Sequence, residues 1–188
     1  MFDALLNLGL SGLEAAVEAA SGWSGLGIIF VYSALIAFLL PLPSEIVLYP
    51  VGVGPTANTL ALAPIPHWGQ VALVVIVSGL GKALGSIVAL TVGHNASHSG
   101  IVIRGLRRLG FQPLEWSQRR MVELGRRWGH VGMAVGLSVP FFPDTASIYA
   151  FSVIEGSYRR FAAAAFAGSV GRLLITIGLV EMVGLVVF

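Results

Sequence analysis

The stretch Leu39-Leu40-Pro41-Leu42-Pro43-Ser44-Glu45-Ile46-Val47-Leu48 decides how this chain folds. No formal charge occurs from Ser24 to Ser44; Glu45 follows, and the chain is then uncharged again from Ile46 to Gly81. A proline has no amide donor and its ring clashes with the preceding turn, so a helix running through Gly25 to Leu40 stops or kinks at Pro41. The apolar residues beyond the break, Ile46 to Val53, are too few to cross a bilayer, which takes about 20. Two half-length apolar pieces joined by Pro-x-Pro predict a re-entrant hairpin over 24–53 with Pro41 and Pro43 at its tip. The alternative is a plain span from Ser24 to Ser44 with Glu45 at the interface. Broken backbone at membrane depth is tolerated only where protein or a water-filled cavity covers it.

The composition agrees with a membrane setting. Of 188 residues, 56% are apolar and 11% are charged, less than half the roughly one quarter of a soluble domain. The formal charge of +2 is unevenly spread. Seven arginines lie between Arg104 and Arg127 against Glu115 and Glu123, a local +5 that leaves −3 for the remainder. So small a net charge argues against a nucleic-acid partner. The absence of cysteine excludes disulfides, thiol catalysis and thiolate metal sites. The first ten residues carry Asp3 and no base, unlike a signal peptide.

Outward from the first break, residues 4–20 place Leu6, Leu10, Leu13 and Val17 on one helical face, with Glu14 and Glu18 on the other, predicting a short amphipathic helix. Residues 54–68 read as an uncharged loop with three prolines. Gln70 to Val92 reads as a span holding Lys82. Within the arginine segment Leu114, Ser117, Met121, Leu124 and Trp128 recur at three- and four-residue spacing, as in an interfacial helix drawn to anionic headgroups. Gly129 to Ile154 repeats the opening pattern around Pro140-Phe141-Phe142-Pro143-Asp144, and Phe161 to Phe188 reads as the last span, holding Arg172.

The halves therefore share one order of events. Trp23, Pro43-Ser44-Glu45 and Gly79-Leu80-Gly81-Lys82 in the first correspond to Trp128, Pro143-Asp144 and Gly168-Ser169-Val170-Gly171-Arg172 in the second. Basic loops lie on the cytoplasmic side, so residues 104–127 and Arg159-Arg160 belong there and loop 55–68 faces out. A hairpin followed by one span then inverts the second half, as in many transporters. The expected fold is an all-α polytopic membrane protein, an inverted repeat of re-entrant hairpin plus transmembrane helix with interfacial amphipathic helices. Its divisions are an N-terminal helix over 1–22, a first repeat over 23–94, a basic cytoplasmic segment over 95–127 and a second repeat over 128–188.

Glu45, Lys82, Asp144 and Arg172 are ionisable residues inside apolar stretches. Each costs about 2.5–3.5 kcal/mol at a helix centre on insertion scales, so they are expected to pair or to face water. Lys82 and Arg172 would attract an anion such as a phosphate; Glu45 or Asp144 could take up a proton. The bland reading is that the pairs only lock helices together, and Lys82 could snorkel to the interface. No catalytic constellation emerges: only Asp144 offers an aspartate at depth, and His67, His94, His98 and His130 all fall at interfaces. His94 and His98 stand one turn apart without an acid close by, so neither a metal nor a cofactor is read. Gly81 and Gly85 form a small-xxx-small pattern that suits close helix packing, and a homo-oligomer is left open.

These residues resemble the DedA family, also called the VTT or SNARE-associated Golgi protein superfamily. The resemblance rests on Pro41 to Glu45, on Gly81 to Gly93 (GKALGSIVALTVG), and on Val139-Pro140 through Tyr158-Arg159-Arg160-Phe161 to Gly171-Arg172, covering roughly residues 24–180. Many members carry arginines on both sides of the second proline motif. Here Leu137 to Asp144 has neither, which looks more like the YqaA-type branch. The resemblance implies paired re-entrant hairpins in the plasma membrane and flipping or scrambling of an anionic lipid such as undecaprenyl phosphate, with protons as the possible coupling ion. A proton-coupled exporter of cations or small drugs and a non-transporting membrane-organising protein are the competing expectations; an enzyme is the least expected.

Overall fold

The computed structural model describes residues 11–38, 42–53, 58–96, 129–140, 145, 148, 151 and 157–187. Helices dominate these residues, and two helices are long and apolar enough to cross a membrane.

Helix α1 covers 11–18, the latter part of the amphipathic stretch. It turns Val17 inward, Leu13 packs on the same core, and Glu18 stays exposed. Helix α2 (Gly22–Phe38) begins at a glycine in the left-handed region, φ +59°. At 17 residues it is about 25 Å long, short of a bilayer core.

Beyond the prolines the chain turns back. Pro43 is extended, and Ser44–Leu48 forms a 3₁₀ helix whose Ile46, Val47 and Leu48 are buried. The tight winding suits a segment entered through Pro-x-Pro, because each proline drives its predecessor away from the α region. Pro50 then accepts the amides of Thr59 and Leu60 at 3.0 and 2.8 Å, while Leu60 accepts the Gly22 amide at 2.8 Å. Pro50, Thr59 and Leu60 thus stand beside the start of α2, so the segment from Pro43 to Pro50 runs back along α2 and does not continue it as a straight rod through Ser44.

Helix α3 (His67–Ala96) rises from the same end. It outruns the expected Gln70–Val92 because Gly69 and Gln70 already donate to Pro66 and His67 opens the first turn. It runs parallel to α2. Ser33 meets Ser78, and a methyl group on Gly81 or Gly85 would overlap the carbonyl oxygens of Phe30 and Ala34 respectively.

A short and a long helix also pack together in the second half. Helix α4 (129–137) also starts at a left-handed glycine, Gly129 at φ +54°, and stops before Pro140. Positions 145, 148 and 151 are helical again. Helix α5 (Tyr158–Val187) begins three residues before the expected Phe161, since the Phe161 amide reaches the Ser157 carbonyl. It is parallel to α4: a methyl on Gly168 would lie 2.6 Å from the Leu137 Cβ, and one on Gly171 2.6 Å from the Ser138 Oγ.

The two long helices are antiparallel. Gly79 faces Phe166 and Val170. Toward the start of α3, Val71, Val74 and Val75 share a core with Leu173 of α5; toward its end, Ala89 and Leu90 share another with Phe161, Ala164 and Ala165. The first core holds Ile46, Val47 and Leu48 together with Leu173 of α5, and the second holds Ile148 and Phe151 together with Ala89 and Leu90 of α3.

The outer faces stay apolar. Ile76, Leu80, Leu84 and Val88 are exposed at four-residue spacing along one side of α3, and α5 exposes Leu174, Ile175, Leu179, Met182 and Val183. A soluble domain seldom leaves so much contiguous apolar surface in water.

Candidate functional site

Among the described residues, Lys82 and Arg172 are the charged side chains buried in the bundle, 3% and 2% exposed. Lys82 does not snorkel to an interface; α3 holds it inside. From the level at which Gly79 meets Phe166 and Val170, Lys82 lies about 4.5 Å along α3 and Arg172 about 6 Å along α5. Because these helices are antiparallel, the two bases flank the crossing on opposite sides.

Each base is set by its own short helix. Arg172 donates from Nε to the carbonyl of Leu137 at 2.9 Å. Leu137 ends α4, where the last four carbonyls lack partners within the helix and the dipole favours a cation. One hydrogen bond of Arg172 thus goes to a helix end. Lys82 follows Gly81, where α2 approaches too closely for any side chain, and it stands one turn from Ser78 and one turn from Ser86.

Glu45 sits in the first turn of the 3₁₀ helix, half-buried, and that helix touches α2, α3 and α5. Its place is fixed by Tyr32, a fully buried residue whose hydroxyl donates to the Pro43 carbonyl at 2.9 Å. His67 and the Val51 carbonyl hold the far end of the return arm at 2.8 Å. Thr145, just past the second proline motif in sequence, donates to the Ile36 carbonyl at 2.8 Å, near the end of α2. Pro43 is exposed and Pro140 half-buried where the short helices give out. Asp144, Pro41, Pro143 and the arginine segment 104–127 lie outside the described residues.

Sequence reasoning passed over the hydroxyls. Ser33, Ser44, Ser78, Ser86, Thr145 and Ser169 are all buried. The signal was present in the spacing, since Ser78-Lys82-Ser86 and Ser169-Arg172-Thr176 each lie on one helical face. Chemically, the arrangement offers two basic side chains and a carboxyl group among hydroxyls in an apolar bundle. Comparison with known protein families, curated proteins and solved structures found no match to this chain.

Proposed function

We propose that the chain is an integral membrane transporter of the DedA/VTT type. In this reading two re-entrant hairpins of opposite orientation meet near the bilayer midplane and carry an anionic lipid headgroup, such as a polyprenyl phosphate, across as a flippase or scramblase. The observation that carries it is the paired geometry: α2 parallel to α3, α4 parallel to α5, the long helices antiparallel, and a buried base on each long helix. Inverted repeats of broken helices around a midplane site are a recurring transporter plan.

Charges and aromatic residues support a placement in the plasma membrane. Glu14 and Glu18 lie at the end where α2 and α3 start and where α5 finishes beyond Glu181; Arg159 and Arg160 lie at the opposite end. Basic residues stay cytoplasmic, so loop 58–66 faces out. Trp23 and Trp68, 64% and 69% exposed, mark the outer interface, and Tyr158 marks the inner one. The exposed stripes of α3 and α5 face lipid.

One observation favours a second reading. The Arg172 bond to Leu137 is a helix lock, which suits a non-transporting protein that organises membrane. The test is transbilayer movement of a labelled polyprenyl phosphate in proteoliposomes, beside phosphatidylcholine. Selective movement abolished by Glu45→Gln supports the transporter. Movement that survives both Glu45→Gln and Arg172→Ala contradicts it.

A further inference from the structure

Thr145 joins the two halves of the chain. Its hydroxyl donates to the Ile36 carbonyl, 109 residues away, and both residues are buried. The acceptor lies in the last turn of α2, where the final carbonyls have no partner within the helix. The donor stands two residues past Pro143. The bond therefore fastens the chain just beyond the second proline motif to the end of the first half's short helix.

The first proline motif carries a hydroxyl in a similar place. Ser44 directly follows Pro43 and opens the 3₁₀ helix. It is fully buried, and its Oγ makes no hydrogen bond with the protein. A buried hydroxyl left this way is costly and calls for an explanation. The matching target, the end of α4, is close along the bundle. Leu137 and Ser138 of α4 meet α5 at Gly168 and Gly171, while the 3₁₀ helix touches α5 and shares a core with Leu173. Those positions on α5 span about 7.5 Å of its axis, on different sides of the helix. The Leu137 carbonyl already accepts from Arg172, and its second lone pair leaves room for another donor.

The outer end of the first half is sealed. Leu60 and Leu62 are buried beneath it, the Gly22 amide donates to the Leu60 carbonyl, and the Thr59 hydroxyl and the Gln70 amide group tie the loop to Ala20 and Ile65 at 3.2 and 2.9 Å. We propose that Thr145 and Ser44 form a two-position switch. In this outer-closed state Thr145 clasps α2. In an outer-open state Thr145 releases Ile36 and Ser44 clasps the last turn of α4. When inverted halves rock about one site, each half adopts in one state the arrangement its counterpart holds in the other. The proposal rests on the transporter reading, from which it takes the opposed orientation of the halves.

Thr145→Val removes the clasp of the outer-closed state, and Ser44→Ala removes that of the outer-open state, so the two should act with opposite signs. Spin labels on cysteine pairs report this as distances between labels in proteoliposomes of the full chain. Ala63 with Met182 serves the outer end and Thr91 with Arg159 the inner end, all four being exposed. Wild type should show two distance populations at each pair, the outer-open one longer at the outer pair and shorter at the inner. Thr145→Val should raise the outer-open population about fivefold relative to the closed one, and Ser44→Ala should lower it about fivefold, the effect of one hydrogen bond. A purely structural role would not move the two pairs in opposite directions, and the Tm of each variant reports that it folds. The proposal is overturned if wild type gives a single distance at each pair, if both variants shift the populations the same way, or if Ser44→Ala changes nothing. Lipid movement with unchanged distances would remove the switch and leave the transporter reading. Opposed shifts without any lipid movement would sink that reading and leave the switch standing.

Discussion

Arg172 and Leu137, 35 residues apart, are joined by a 2.9 Å hydrogen bond from the guanidinium Nε to the carbonyl that ends α4. The bond ties the end of α4 to α5. It also gives a buried cation a helix C-terminus to face, which lowers the cost of holding it in an apolar bundle.

Arg172→Ala should therefore lower stability as well as activity. Losing a charge-assisted bond and orphaning the Leu137 carbonyl should cost about 2 kcal/mol. Unfolding in detergent measures it, and Arg172→Lys should recover part of the loss.

The close approach of α2 to α3 predicts opposite signs at different glycines. Gly81→Ala and Gly85→Ala drive a methyl into the Phe30 and Ala34 carbonyls and should cost on the order of 2 kcal/mol each. Gly27 has open space around it, so Gly27→Ala should be neutral or stabilise by up to about 1 kcal/mol. The same unfolding assay ranks the three.

Tyr32→Phe removes the donor that holds Pro43 and should cost about 1 kcal/mol. The loss should be local. Hydrogen exchange should speed up at the amides of 44–48 and stay unchanged in α5.

The exposed stripe of α3 predicts contact with lipid. The chain has no cysteine, so single cysteines at Ile76, Leu80, Leu84 and Val88 can carry spin labels without prior engineering. In bilayers these labels should collide with oxygen more often than with a water-soluble nickel complex. The reverse pattern would mean that the stripe faces water.

Much of the fold was legible in the sequence because prolines and charges act locally. The described part of α2 ends at Phe38, ahead of Pro41 and Pro43, and Lys82 and Arg172 could be located by the apolar runs around them. Helix ends were less legible: α3 starts at His67 because its first turn bonds to Pro66, a loop residue with no periodic signal. The bond from Arg172 to the Leu137 carbonyl was hidden for another reason: a backbone carbonyl has no letter in a sequence. The hydroxyls were overlooked because Ser33, Ser78 and Ser169 read as small residues in glycine-rich spans until the packing showed which had partners.

The central claim is that the two halves enter the bilayer from opposite sides and that the first hairpin returns to the side it left. Single cysteines at Ala19, Ala63 and Arg159, labelled in intact cells with a membrane-impermeant maleimide, test it directly. Ala19 and Ala63 should label from outside, because both lie at the end where α2 begins, while Arg159 should label only after the membrane is opened. Labelling of Ala19 and Ala63 from opposite sides, or of all three from one side, would contradict the account.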